Sequence, residues 1–219
     1  MNRPATKVRR PQLLCIIGCE GENQDKMYFE KIQSIVNSME ERVYDLLFDF
    51  AEPFGGDPKC VVERVTAKSI GKLHKMAVFD YDGKKEKYEE AIDLAVENQV
   101  VLGYTNYCFD LWLILHKENY FNKVNNQDDY GRKLRRIYGL ERGVNIKKKD
   151  KVQVILSQIE IEDIQAAIVR AELIAVKNLE KEANKTPKEN EYHDNPDTQM
   201  HNLLKSIFQK VGVARRFGL

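Results

Sequence analysis

Two apolar stretches of this sequence end in acidic residues, and these acids are the side chains best suited to carry chemistry. Glu20 and Glu22 follow the run LLCIIGC, and Asp80 and Asp82 follow the run KMAVF. Carboxylate oxygens are the ligands that Mg²⁺ and Mn²⁺ prefer, and clustered carboxylates repel each other unless a cation lies between them. An ion held by Glu20, Asp80 and Asp82 could polarise a phosphodiester, with Glu20 as general base for the attacking water.

The same acids also have plainer explanations. Acids that follow strands often only complement the start of the next helix, and DYDG is also an ordinary turn sequence. Glu22 in particular could stabilise the N-terminus of the helix that follows it through its negative charge. The metal site is favoured because acids follow two separate strands, and clustered acids mark functional sites more often than single ones do.

The elements that must position these acids alternate between strand and helix. Short apolar runs predict four strands, at Leu13–Ile17, Val43–Phe50, Lys75–Asp80 and Val100–Thr105. Helical spacing of apolar residues predicts helices over Lys26–Met39, from Asp57 and Pro58 to Ile70, over Lys84–Asn98, and over Cys108–Lys117. This alternation predicts an α/β fold with a mostly parallel sheet flanked by helices, whose strands carry their ligand-binding side chains at one edge.

The second half of the chain has a different pattern. Helices are predicted over Asp128–Tyr138, Lys151–Ile159, Asp163–Lys181 and Thr198–Val211, with no further strand. The polar stretch Asn184–Asp197 predicts a mobile loop. We therefore expect an α/β core over residues 1–116 and a mainly helical C-terminal cap over residues 117–219, packed on that core.

Basic residues in the range Arg132–Lys149 form the strongest candidate for nucleic-acid binding. The candidate phosphate ligands are Arg132, Arg135, Arg136, Arg142, Lys147, Lys148 and Lys149. Tyr130 and Tyr138 could stack on bases, although surface tyrosines with ordinary hydrogen bonds need no such role. These residues predict a surface that binds the backbone of DNA or RNA.

Two polar residues near the predicted sheet edge are accessory candidates. Asn106 follows the fourth strand and could orient a substrate, or it could cap the helix that begins near Cys108. His116 could act as an acid near a phosphate, whereas a single histidine is more often structural.

Composition narrows the class of protein but does not identify a partner. The 35 Lys and Arg residues balance the 34 Asp and Glu residues, so net charge favours no partner. The sequence has no run of about 18 apolar residues and no secretory signal pattern, so we expect no membrane contact. Four cysteines without zinc-ligand spacing indicate reduced thiols and a cytoplasmic location.

Four blocks of the sequence resemble the RloB-like family over Leu13 to Leu204. They are CEGE followed by YFE, VFDYD, TNYCFDLWLILH and NPDTQMHNLL. The resemblance implies a Toprim-related catalytic core that binds Mg²⁺ for phosphoryl transfer, with Glu20 as its glutamate and Asp80 and Asp82 as its Asp-x-Asp pair. Tyr107 stands where the family usually has proline, and Asp110 stands for a family glutamate, which implies a role for Asp110 as or beside a metal ligand.

The resemblance also implies a role in bacterial anti-phage defence, in loci associated with restriction-modification. The first hypothesis is a nuclease that cleaves RNA, tRNA or DNA with Mg²⁺ or Mn²⁺. The alternative is a non-catalytic subunit that binds nucleic acid or docks on an ATPase or restriction-modification partner. A homo-oligomer is a further expectation for the assembly. A third hypothesis is nucleotidyl transfer, since Toprim domains also occur in primases.

Overall fold

The computed structural model describes residues 10–69, 74–81, 85–124, 126–183 and 196–219. Asp82, the second acid of the predicted Asp-x-Asp pair, lies outside these ranges. Most of the predicted loop over Asn184–Asp197 also lies outside them.

A four-stranded parallel sheet forms the centre of the fold. Its strands are β1 (Gln12–Cys19), β2 (Asp45–Phe50), β3 (His74–Val78) and β4 (Val101–Leu102), in the order β2-β1-β3-β4. In β1 the side chains of Cys15, Ile16 and Ile17 are all fully buried, as expected for a parallel strand covered on both faces. Cys19 pairs in register with Val78, so β1 and β3 end at the same level.

Helices cover both faces of the sheet. They are α1 (Gln24–Ser38), α2 (Pro58–Lys68) and α3 (Lys85–Glu97). The predicted start of α2 is confirmed, because the Asp57 side chain accepts a hydrogen bond from Cys60 N at 3.0 Å. A Cβ on Gly18 would lie 2.6 Å from Val65 Cγ2, so this glycine allows α2 to approach β1 closely. The predicted α/β class is therefore confirmed, and the arrangement is consistent with a Toprim-like fold.

Five further helices follow, and each corresponds to a predicted one. They are α4 (Asp110–Leu115), α5 (Gln127–Ile137), α6 (Lys149–Ser157), α7 (Ile161–Ala183) and α8 (Met200–Val211), before a short 3₁₀ turn over Ala214–Phe217. Their apolar faces form one continuous core with α1 and with the α1 side of the sheet. Within the described ranges, no helix has the length and apolar content needed to cross a membrane.

One strand departs from its prediction, and one was missed. The predicted strand Val100–Thr105 is interrupted after Leu102, and its end becomes β5 (Thr105–Asn106), which pairs antiparallel with β6 (Asp197–Thr198). The expectation of no strand after residue 116 was therefore wrong. Helix α8 lies against the interruption, since a Cβ on Gly103 would lie 2.8 Å from Leu203 Cδ1. The two-residue strand β6 forms through its pairing with β5, so its own sequence carries no strand signal.

Candidate functional site

The structure brings Glu20 and Asp80 together at one edge of the sheet. Glu20 follows β1, and its backbone N–H donates to Val78 O at 3.1 Å. The backbone N–H of Asp80 in turn donates to Glu20 Oε2 at 3.0 Å. The parallel pairing of β1 with β3 places both residues at the carboxyl ends of neighbouring strands, where ligands bind in α/β sheets.

Gly21 and Asp25 shape the loop that carries Glu20. The backbone N–H of Gly21 donates to Asp25 Oδ2 at 2.9 Å. A Cβ at position 21 would lie 3.0 Å from Asp25 Oδ1, so a larger residue would push the carboxylate away. Asp25 lies in the first turn of α1 and is 4% exposed. The glycine in the CEGE block therefore permits a close approach between the loop and a buried acid.

Asp25 is a site residue that the sequence did not reveal. Burial is the main cause that raises its pKa from 3.8 to about 7. The Gly21 hydrogen bond opposes this rise, the charges of Glu20 and Asp110 add to it, and Lys147 opposes it. Asp25, Glu20, Asp80 and Lys147 all line one cavity at this edge. The only sequence signal for Asp25 is an acid in the first turn of a helix that begins at the sheet edge, which is also an ordinary helix feature.

A cavity of about 440 Å³, here called the carboxylate cavity, lies at this edge. Its lining residues are Glu20, Gly21, Glu22, Asn23, Gln24, Asp25, Gly55, Asp80, Gln127 and Lys147. Glu22 is exposed at the rim, just before α1 begins, a position compatible with either of its two predicted roles. The cavity thus gathers acids from the ends of two strands and from the first turn of a helix.

Lys147 is separated by the structure from the two lysines that follow it in sequence. Lys147 lines the carboxylate cavity, and its backbone oxygen accepts a hydrogen bond from Asn23 Nδ2 at 3.3 Å. Lys148 and Lys149 instead lie at the start of α6 and do not line this cavity. Partial loss of water lowers the pKa of Lys147, but the nearby acids, Asp110 first among them, outweigh this and raise it. Lys147 therefore stays charged beside the carboxylates.

Asp110 lies behind the carboxylate cavity. It is the first residue of α4, is 2% exposed, and accepts a hydrogen bond from Gln24 Nε2 at 2.7 Å. Burial raises its pKa, while Gln24, Lys147 and Arg135 lower it. Asp110 lines a second cavity of about 290 Å³, here called the connecting cavity, which also includes Lys147 and Arg135.

The carboxylates offer a donor set of the kind that suits a hard divalent cation. Mg²⁺ is usually held by one or two carboxylates together with waters and substrate phosphates. Glu20 and Asp80 supply two such groups. Asp110 lies behind them, where Gln24 donates a hydrogen bond to it. Among the residues with described positions, no three acidic, histidine or cysteine side chains form a group that could hold a metal ion. The predicted third ligand, Asp82, is not among those residues.

The predicted arginines line a third cavity, of about 580 Å³, here called the arginine cavity. Its lining residues are Asp128, Arg132, Arg135, Arg136, Leu140, Arg142 and Gly143. Two of the arginines have acidic partners: Arg136 donates to both oxygens of Glu118, at 2.7 and 2.8 Å, and Arg132 pairs with Asp129. The four arginines therefore share one cavity, but part of their charge is already balanced.

Tyr130 and Tyr138 belong to the core and cannot stack on bases. Tyr130 is fully buried and Tyr138 is 3% exposed. Tyr130 Oη donates to Asn106 O at 3.3 Å, and Tyr138 Oη donates to Leu113 O at 2.8 Å. The base-stacking alternative was wrong because the apolar side of α5, on which Leu134 also lies, faces the protein.

His116 and Asn106 are also buried. His116 lies within hydrogen-bonding distance of Tyr28 Oη (3.2 Å) and of Trp112 O (2.9 Å), and burial lowers its pKa to about 4. It is neutral and structural in this setting, and it does not line the three cavities. Asn106 lies in β5, beside the edge that carries Asp80. It does not cap α4, whose N-cap residue is Phe109.

The chain was also compared with known proteins. The sequence model of the family described as RloB-like protein matches residues 15–207. No curated protein and no solved structure matches the chain. The matched range extends from the middle of β1 through most of α8 and includes every described residue of the carboxylate cavity. The chain therefore belongs to the RloB-like protein family.

Proposed function

We propose that this protein is a metal-dependent nuclease, which cleaves phosphodiester bonds of RNA, tRNA or DNA at the carboxylate cavity. The observation that carries the proposal is the 3.0 Å hydrogen bond from Asp80 N to Glu20 Oε2, which joins two acidic strand ends at one edge. A fold alone does not determine a reaction, whereas two acids at one sheet edge supply ligands for a catalytic cation.

The residues of the cavity have distinct roles in this proposal. Glu20 and Asp80 hold Mg²⁺ or Mn²⁺, together with Asp82. A bound ion of this kind supplies Lewis-acid polarisation of the phosphodiester. Asp25 fixes the loop that carries Glu20 through its hydrogen bond with Gly21 N. Lys147 contacts the reacting phosphate and balances its charge, because it is the cation that lines the described part of the cavity.

A cleavage assay with paired variants tests the proposal. Glu20→Gln and Asp80→Asn remove charge without changing side-chain size, and both should abolish cleavage of a panel of DNA, RNA and tRNA in Mg²⁺ or Mn²⁺. Glu30→Gln is a matched control, because Glu30 is an exposed acid of α1 that lines none of the three cavities. Wild-type protein that cuts none of these substrates, alone or with its operon partner, would remove the basis of the proposal.

A non-catalytic role in a defence complex is the second candidate, and one surface favours it. The outer face of α7 exposes Val169, Leu173, Val176 and Leu179, with exposed fractions from 45% to 65%. Exposed apolar side chains at helical spacing are typical of a docking face. In that case the carboxylates would be replaceable, and an Asp80→Asn strain would keep full protection against phage.

A further inference from the structure

The three cavities described above adjoin one another in a row, here called the cleft. The carboxylate and connecting cavities share Gln127 and Lys147 in their linings. The connecting and arginine cavities share Asp128, Arg135 and Gly143. The cleft therefore leads from the acidic sheet edge, past the start of α5, to the exposed arginines.

The cations along this cleft differ in how much charge they can offer a ligand. Arg136 and Arg132 already pair with Glu118 and Asp129. Arg135 donates to the carbonyl of Val144 at 3.2 Å. Because a carbonyl carries no net charge, this contact does not balance the positive charge of Arg135.

Arg142 and Lys147 complete the set of cations that remain for a ligand. Arg142 is exposed and forms no hydrogen bond or ion pair with the described residues. Lys147 lines both the carboxylate cavity and the connecting cavity. In cleft order, the cations that remain for a ligand are Lys147, Arg135 and Arg142.

A ligand that matches this arrangement must carry several negative charges in a row. A mononucleotide at the carboxylate cavity would reach Lys147 but would leave the arginine cavity empty. A polynucleotide strand places one phosphate after another and can occupy all three cavities at once. Lys148 and Lys149 do not line the cleft, so they are not expected to take part.

We propose that one polynucleotide strand lies along this cleft, with successive phosphates contacted by Lys147, Arg135 and Arg142. The inference rests on the proposed function for its reacting end, since the strand is the substrate of the carboxylate cavity. It adds the path that the strand takes and the three side chains that contact its phosphates along that path.

Binding of a labelled single strand of roughly a dozen nucleotides, as RNA and as DNA, tests this path. The measurement is made in EDTA over a series of salt concentrations, so that it depends on the cleft cations and on no metal. Lys147→Gln and Arg142→Gln should each weaken binding several-fold and reduce the slope of log K against log salt by about 0.7. Lys149→Gln, the matched control at the start of α6, should change neither quantity.

Three results would overturn the inference: no binding of either strand at low salt, equal losses in Lys149→Gln and Lys147→Gln, or full competition by a mononucleotide at equal phosphate concentration. The Glu20→Gln variant separates this inference from the proposed function. Strand binding retained in Glu20→Gln, with no cleavage by the wild-type protein in Mg²⁺ or Mn²⁺, would support the strand path and reject the nuclease.

Discussion

The backbone N–H of Asp80 donates a hydrogen bond to Oε2 of Glu20 at 3.0 Å, although 60 residues separate the two in sequence. This contact fixes the distance between the ends of β1 and β3 at the point where the strands stop pairing. Both side chains line the carboxylate cavity, and Lys147 lies there with them. The sheet thus brings two acids to one edge, and the loop before α6 places Lys147 beside them in the described part of the cavity.

Asp25→Asn should change how stability depends on pH. The folded-state pKa of Asp25 is raised by burial from 3.8 to about 7, so the folded protein holds this proton more tightly than the unfolded chain does. The contribution of Asp25 to stability is therefore present below about pH 4 and lost as pH rises through 7. Wild type should lose this contribution between pH 4 and pH 8, and Asp25→Asn should not. The free energy of unfolding of the variant minus that of wild type should therefore rise by on the order of a few kcal/mol over this range.

Urea unfolding at a series of pH values measures this difference. The comparison between variant and wild type isolates Asp25, because the buried histidines titrate in both proteins. Parallel curves for the two proteins over this pH range would show that Asp25 keeps an ordinary pKa in the folded state.

Gly21→Ala should destabilise the loop that carries Glu20. The new Cβ would lie 3.0 Å from Asp25 Oδ1, so the Asp25 carboxylate must move and weaken its bond to Gly21 N. We expect a loss of about 1 kcal/mol in free energy of unfolding and weaker Mn²⁺ binding by calorimetry. Gly131→Ala is the comparison: its Cβ would meet no atom closer than 3.6 Å, so it should gain about 1 kcal/mol because alanine favours the interior of α5. Equal stability of the two variants would argue against the close approach.

Thr198→Val should loosen the edge beside Asp80. Thr198 Oγ1 lies 3.0 Å from Thr105 Oγ1, donates to Tyr104 O at 3.1 Å and accepts from Met200 N at 3.2 Å. Thr105 bridges to Asp80, so β6 supports the strand end that carries this acid. Valine has the same shape but leaves buried polar groups unsatisfied, which costs about 2 kcal/mol of stability by urea unfolding. Thr198→Ser should retain most of the wild-type value, and failure of the serine to do so would point to packing instead.

Tyr130→Phe should leave strand binding unchanged. The ring is fully buried and the hydroxyl makes one hydrogen bond of 3.3 Å to Asn106 O, so its removal should cost about 1 kcal/mol of stability. Strand affinity measured as above should match wild type. A several-fold loss of affinity in Tyr130→Phe, with stability intact, would restore a direct role for this residue in binding.

The sequence was sufficient to predict that Glu20 and Asp80 lie together. Their position depends on two local features, apolar runs that form parallel strands and the acids that end them, and parallel strands always end at one edge. Lys147 was predicted only as one of three consecutive lysines. Its separation from Lys148 and Lys149 depends on where α6 begins and on the Asn23 contact, which is a tertiary interaction.

Local pattern was sufficient for one of two other features. Tyr130, Leu134 and Tyr138 are spaced i, i+4 and i+8 along α5 and its C-cap, so the helical period already places both tyrosines on the apolar face. The strand β6 has two residues and forms only because β5 leaves the main sheet to meet it. Its deciding interactions come from a distant part of the chain.

Metal binding is the central claim, and anomalous diffraction from a crystal soaked in Mn²⁺ tests it most directly. The account predicts a strong anomalous peak at about 2.1 Å from carboxylate oxygens of both Glu20 and Asp80, and loss of that peak in crystals of Glu20→Gln. A well-ordered edge with no peak, and with the Lys147 ammonium lying between the two carboxylates, would contradict the metal site and the nuclease built on it.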